Sequence, residues 1–459
     1  MASDSSVNAT HTLERFFLQY RKLKRPIAVS FRKLVPLLIN SDRATHLIHP
    51  YPAKLLMHIP HFFLSNSILS KRGDVVLDPF SGSGTVLLEA LLSGRNAIGA
   101  DANPIARLIS KVKTTLIDLN QLHISSKRLL QRLPSKSNIE QPDVVNLDHW
   151  FYPHVTKQLL LLLEAINNTR NNDVRDFFQI CFSSSLRKVS LADPRLSVPV
   201  RLRYGQYPEG HWLREKMDDH LYNLRRVNAI DKFKQTIDTN YKRFVALKNL
   251  LSTEVEAKVI CSDARCLKYD FVQNGSGKQK LADESVDLII TSPPYVGAQK
   301  YIRASSLSLG WLGLCQTNEL RRLEDVNIGR EHYAKSAYSE PMYTGISAAD
   351  KLLKEVRRIN PLRAHIAGTY LLEMREAIRE MARVIKPGSC VILVAANNEV
   401  CGLEFKTTKY LTNIAEEFGL SLCLRLIDEI RSRGLMTKRN KTASVITREW
   451  VLVFQKGAN

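Results

Sequence analysis

The sequence predicts an α/β protein: a Rossmann-like, mostly parallel sheet with helices on both faces, interrupted by a largely helical insert. Three observations carry that expectation. A short apolar run at 74–77 (DVVL) ends in a turn of small residues, a helical pattern follows at 85–92, and a second run stands at 96–100 (NAIGA). Strand, Gly-rich turn, helix, strand is a βαβ unit of the nucleotide-binding kind. Further strand-like runs come only much later, at 258–261 (KVIC), 286–291 (VDLIIT), 389–395 (SCVILVA), 422–426 and 449–454 (EWVLVF). Between about 115 and 255 the pattern is helical, for example at 156–166 and 225–251. A helix at 370–385 is expected to stop at Lys386-Pro387-Gly388.

The 459 residues are 44% hydrophobic and 24% charged, enough for two or three domains with a full core. That composition excludes a collagen-like, low-complexity or wholly disordered chain. Lys and Arg number 66 against 45 Asp and Glu, a formal charge of +21, which points to a polyanionic partner. Seven scattered cysteines without a C-x-x-C argue against a disulfide scaffold or zinc ribbon and fit a reducing compartment. The first residues hold no apolar core of signal-peptide type, and no run approaches the ~18 apolar residues of a membrane span. The expectation is a soluble, cytoplasmic protein without a membrane partner.

Residues 1–44 read as a basic N-terminal arm or helix, with apolar and basic residues mixed over 13–38. The α/β domain then divides into 45–115, the helical insert 116–255, and 256–459, itself interrupted at 297–360.

The turn after the first strand is Asp78-Pro79-Phe80-Ser81-Gly82-Ser83-Gly84-Thr85. Small residues let the backbone approach a ligand, and the helix that follows offers unpaired N–H groups. No Lys-Ser/Thr follows the glycines, so this is not a Walker loop. An Asp at the head of the turn repels a pyrophosphate and suits a cationic ligand. Asp101, followed by Ala102, ends the next strand, where an acidic residue accepts hydrogen bonds from ribose hydroxyls. A carboxylate in the loop plus one for ribose fits S-adenosyl-L-methionine, whose methionine end carries an ammonium.

Thr291-Ser292-Pro293-Pro294-Tyr295 stands directly after VDLIIT. The two prolines remove backbone donors and stiffen the loop, leaving carbonyls free to accept. DPFSGSGT followed by TSPPY resembles the S-adenosylmethionine-dependent amino-methylating DNA methyltransferases, the N4-cytosine and N6-adenine enzymes, over roughly 45–115 and 255–300. The resemblance implies a Rossmann-like methyltransferase sheet, with the first loop for the cofactor and Ser292, Pro293, Pro294 and Tyr295 for catalysis. It further implies that His49-Pro50-Tyr51-Pro52-Ala53-Lys54 covers the methionine end, with His49, Tyr51 and Lys54 as contacts. Ser262-Asp263-Ala264-Arg265 is similar to the loop that holds the adenine, through Asp263 and Ala264.

In that family an exocyclic amine attacks the sulfonium methyl in line. Hydrogen bonds to the Ser292 side chain and the Pro293 carbonyl localise its lone pair, and Tyr295 stacks on a base taken out of the duplex. No cysteine follows a proline here, which argues against the C5-cytosine class. Ser292, where adenine enzymes usually carry Asp or Asn, resembles the N4-cytosine branch. The alternatives are an N6-adenine DNA enzyme, a tRNA guanine-N2 enzyme and an inactive nucleic-acid-binding scaffold. The expected partner is double-stranded DNA, together with a cognate restriction or defence protein where the enzyme serves such a system.

Arg187, Lys188, Arg195, Arg201 and Arg203, with Tyr204 and Tyr207 nearby, form a basic and aromatic cluster suited to phosphates and stacked bases. The run from Arg431 to Arg448, with Arg433, Lys438, Arg439 and Lys441, is a second candidate, read as a loop between the last two strands. Lys300 and Arg303, near Gln299 and Tyr301, trail the catalytic loop. His46, His49 and His58 show no metal-ligand spacing, so no metal is expected.

Overall fold

Among the described residues, an eight-stranded sheet organises the chain. Its strands are β1 (Ile27–Val29), β2 (Val75–Asp78), β3 (Asn96–Ala100), β4 (Ala257–Ile260), β5 (Val286–Thr291), β6 (Ile385–Ala395), β7 (Leu420–Glu429) and β8 (Arg448–Lys456). They lie in the order β1-β7-β8-β6-β5-β2-β3-β4. The computed structural model describes residues 2–36, 38, 43–52, 54–251, 254–260, 263–272, 276–296, 301–429 and 447–458. Neighbouring strands run parallel except β8, which is reversed between β6 and β7.

The period-2 alternation of the strands divides the core between two faces. Leu77, Ile289, Val391 and Leu393 face the helices Ser347–Ile359, Pro361–Val384 and Thr407–Glu417. Val76, Leu288, Ile290, Ile392 and Val394 face Ala2–Leu23, His58–Leu64 and Thr85–Leu92. A strand buried on both sides reads as a continuous apolar run, which is why VDLIIT and SCVILVA stood out.

Several boundaries differ from expectation. The N-terminal segment is not one helix: Ala2–Leu23 ends before Pro26, and the chain extends into the edge strand β1, parallel to β7, before the short helix Phe31–Leu34. The helix expected at 370–385 starts earlier, at Pro361, with the Asn360 side chain accepting from the Arg363 N–H. After Lys386-Pro387-Gly388 no loop intervenes: β6 begins at Ile385, and a register shift between Val286 and Leu288 of β5 absorbs the proline. Arg448 opens β8 instead of closing a loop. The NGSGKQK stretch contributes a strand, Ser276–Lys280, antiparallel to Lys268–Val272.

The helical insert forms Leu119–Gln131, Pro153–Asn167, Asn172–Val189, Arg214–Leu224 and Ala229–Leu250. It shares one apolar core with the cofactor half and the second interruption, uniting Ile48, Ile105 and Ile109 with Phe151, Phe178 and Phe182 and with Ile302, Leu309 and Trp311. Trp311 meets Phe151 edge-on at 5.6 Å and Phe182 at 5.8 Å. Gly310 beside it lets the 143–144 segment pass close, because a Cβ there would lie 2.5 Å from the Asp143 carbonyl oxygen.

Candidate active site

The chain leaves β2 toward β3 and β4 on one side and resumes at β5 on the other. That reversal opens a crevice at the carboxyl ends of β2 and β5, the place where open α/β sheets bind ligands. Asp78 ends β2 and is buried; its Oδ1 accepts from the Thr291 hydroxyl at 2.6 Å and from the Phe80 N–H at 3.1 Å. Burial pushes its carboxyl up to about 7. Asp101, just past β3, accepts from Gly82 N–H at 2.9 Å and Asn103 N–H at 2.8 Å, and burial raises its carboxyl too.

The loop between these acids turns through Gly82 and Gly84, both at positive φ. A Cβ on Gly84 would sit 3.0 Å from Ser110, whose hydroxyl donates to the Gly82 carbonyl. Helix Thr85–Leu92 then packs under the sheet, with Thr85 buried at its start.

A narrow cleft of about 70 Å³ collects Tyr51, Pro79, Phe80, Gly82, Asp101, Ala102, Asp263, Ala264, Ser292 and Pro294. Three segments of the sequence that lie far apart thus meet in one place. Asp78, bonded to Thr291, and Ser83, Gly84 and Thr85 do not line this cleft. Tyr301, Val326, Asn327 and Ile328 complete the wall; all four come from the second interruption, where Tyr301 is marked by its place just after the catalytic loop and the other three carry no local signal.

The chemistry of the lining selects its ligand. Among the described residues it presents two carboxyl groups and no lysine or arginine, alongside apolar Phe80, Ala264, Val326 and Ile328. Such a site repels phosphates and accepts a cation joined to a sugar and a flat ring. These residues fit S-adenosylmethionine, which would supply an activated methyl group. Asp263 is braced by Arg265, which also pairs with Glu373 at 2.9 Å and donates to the Val326 carbonyl at 3.0 Å. The adenine-type loop and the 326–328 wall are therefore tied together.

The TSPPY loop follows β5 directly. Its end is held by Asn398, which donates to the Val296 carbonyl at 3.0 Å, and by the close approach of Gly329 to the Tyr295 carbonyl. The Tyr295 phenol donates to Glu449 at 3.1 Å, and burial holds that phenol well above its usual range. Glu449, in the run EWVLVF, had no functional reading in the sequence; the reversed strand β8 is what returns it to this loop.

Of the covering segment, Tyr51 reaches the cleft, where its hydroxyl accepts from Asn103 at 3.4 Å. His49 turns instead to Ser183 at 2.8 Å, and burial pushes its imidazole down to about 3, so it is neutral. Lys54 donates to the carbonyls of His49 at 2.5 Å and His46 at 3.4 Å, and burial lowers its ammonium to about 8. Both line a larger neighbouring cavity of about 1010 Å³. Ala53 and Ser262 lie outside the described residues. His46 and His61 each bond Glu89 at 2.7 Å, with Arg43 beside them, while His58 bonds the Leu38 carbonyl.

The basic residues of the insert fall around two cavities. Arg187 and Lys188 line the larger one, where Arg187 donates to the carbonyls of Asp193, Leu196 and Ser197 and Lys188 to Thr236 at 3.0 Å. Arg195 pairs with Asp193 and Tyr207. Arg201, Arg203, Tyr204 and Arg303 line a second cavity of about 900 Å³, with Arg201 bonded to the His149 carbonyl. Gln299, Lys300, Arg431, Arg433, Lys438, Arg439 and Lys441 lie outside the described residues.

The chain also resembles known proteins. A family model described as DNA methylase, for N6 and N4 methyltransferases, matches residues 43–111. The chain is 24% identical over 457 residues to the Type II methyltransferase M.MvaI of Kocuria varians, covering 92% of each. It is 23% identical to the Type II methyltransferase M.BsoBI of Geobacillus stearothermophilus, covering 93% of this chain and 88% of that one. Among solved structures it has a slight likeness to a SAM-dependent methyltransferase from Methanosarcina mazei, with 10% identity, 85% and 95% coverage and a TM-score of 0.28. The family model and the full-length relatives support one class, a DNA methyltransferase that uses S-adenosylmethionine. No helix among the described residues is long and apolar enough to cross a membrane.

Proposed function

We propose that the protein transfers a methyl group from S-adenosylmethionine to the exocyclic N4 of a cytosine extruded from duplex DNA, as the modification arm of a restriction or defence system. The observation that carries this reading is the meeting of Ser292 and Pro294 with Asp101 and Asp263 in one cleft. A loop that accepts hydrogen bonds from an NH₂ group then stands beside a site for a cationic methyl donor. Positioning supplies most of the acceleration, and Tyr295 stacks on the extruded ring. Ser292, a neutral residue at the head of Pro-Pro-Tyr, supports cytosine over adenine. The defence role follows the Type II methyltransferases that the chain resembles.

Plasmid DNA methylated by the purified protein and digested to nucleosides provides the test. Mass spectrometry should find N4-methylcytosine as the main product. N6-methyladenine would overturn the choice of base, and methyl transfer only to RNA would overturn the DNA reading as well.

A further inference from the structure

Methylation of an exocyclic amine leaves a proton to dispose of. The nitrogen–carbon bond forms as the carbon–sulfur bond breaks with its electron pair going to sulfur, and the product amine is cationic until it loses one N–H proton. The Tyr295 phenol donates to Oε1 of Glu449 at 3.1 Å, and Ser292, three residues earlier in the same loop, is the neighbouring hydroxyl that acts on that phenol. Each oxygen in this series can accept from the group before it and donate to the next, until a carboxylate ends it.

The fold has a reason to bring that carboxylate here. β8 alone runs against the sheet, so its first residues lie at the edge where the other strands end, beside the TSPPY loop. Glu449 pairs in register with Asp428 of β7. The groups that act on it are Tyr295 from the loop, Asp428 from β7 and Arg32 from the short helix Phe31–Leu34. Burial and Asp428 raise its carboxyl, against the pull of Tyr295 and Arg32, which makes its ionised form a stronger base. It is half-buried, so a proton that reaches it has a way out to solvent.

We propose that Glu449 is the final proton acceptor of the methyl-transfer reaction, reached from the target amine through the Ser292 hydroxyl and the Tyr295 phenol. One proton moves from the amine to Ser292 Oγ, the Ser292 proton to Tyr295 Oη, and the Tyr295 proton to Glu449, leaving a neutral amine and a neutral carboxyl. This rests on the methyltransferase reading above. Glu449 acts through Tyr295 and touches no substrate.

The test compares the full-length wild type with Glu449→Gln, Glu449→Asp and Tyr295→Phe. Single-turnover methyl transfer to plasmid DNA is followed from about pH 5 to 9 at S-adenosylmethionine concentrations that saturate the enzyme at every pH, with cofactor affinity by calorimetry alongside. The wild-type rate should fall on the acid side as Glu449 protonates. Glu449→Gln should bind cofactor as the wild type does, lose about 10²-fold in rate and lose that acid limb; Glu449→Asp should recover the limb in part. A readout independent of turnover is the ¹³C titration of the carboxyl signal that disappears in Glu449→Gln. In Tyr295→Phe that titration should move to higher pH, because the carboxylate loses its donor. A Glu449→Gln enzyme with wild-type rate and pH profile, or a carboxyl titration indifferent to Tyr295→Phe, would overturn the proton path and leave the methyltransferase reading standing. A wild type that methylates no DNA would overturn both.

Discussion

The Thr291 hydroxyl, at the last position of β5, donates to the Asp78 carboxyl at the end of β2 across 2.6 Å. This bond joins the cofactor-type loop to the loop bearing Ser292 and Tyr295, at the point where the sheet reverses its order. A shift in either loop is felt by the other.

Thr291→Val keeps the shape of the strand and removes that donor. Asp78 then loses a hydrogen bond that favours its charged form, and S-adenosylmethionine should bind about tenfold more weakly at neutral pH, since a hydrogen bond to a charged group contributes about 1.5–3 kcal/mol. Calorimetry on the variant reads this directly; undiminished affinity would separate the two loops energetically.

Cofactor affinity should depend on pH through Asp78. Its carboxyl is raised to about 7 in the free protein, and a bound cation favours the ionised form, so binding lowers that value. The contribution is therefore present above about pH 7 and lost as the pH falls below it. Titrations in buffers of different ionisation enthalpy should show proton release that grows as the pH falls through about 7. Affinity independent of pH would dissociate Asp78 from cofactor binding.

Glu89 is buried on the helix that follows the cofactor-type loop, bonded to Arg43, His46 and His61, and these partners hold its carboxyl well below the usual range. Its stabilisation is fully present above the unfolded value, about 4.3, and is lost as the pH falls toward the folded one. Glu89→Gln should cost about 3 kcal/mol near neutral pH by leaving Arg43 without its buried partner. The loss should shrink in acid; a thermal-denaturation series over pH measures both.

The stretch holding Arg431, Arg433, Lys438 and Arg439 is expected to contribute phosphate contacts. Each one removed should reduce the slope of log affinity against log salt by about 0.9 without altering which site is methylated. A salt dependence unchanged in the fourfold neutral variant would assign DNA affinity elsewhere.

The sheet was legible because its central strands, buried on both faces, are continuous apolar runs, and because DPFSGSG has one common use after a strand. Asn360-Pro361, an N-cap followed by a first-turn proline, also announced its helix and was passed over. β1 was not legible: three residues at an edge have no period, and only their pairing with 426–428 makes them a strand. Within the site, Asp101, Asp263 and Ser292 could be named because each follows or ends a strand in a compact motif. Ile328 and Glu449 could not, since what brings one to the cleft and the other to Tyr295 is the path of the whole chain.

The core shared by the insert, the cofactor half and residues 302–315 bears on how this protein could be re-engineered. Trp311, wedged between Phe151 and Phe182, belongs to one interruption while its neighbours belong to the other. Grafting the 116–255 region alone from a relative would strip that tryptophan of its packing and leave Gly310 facing a foreign backbone. The exchangeable unit is the pair of interruptions taken together, two distant stretches of gene that would have to be inherited, or transplanted, at once.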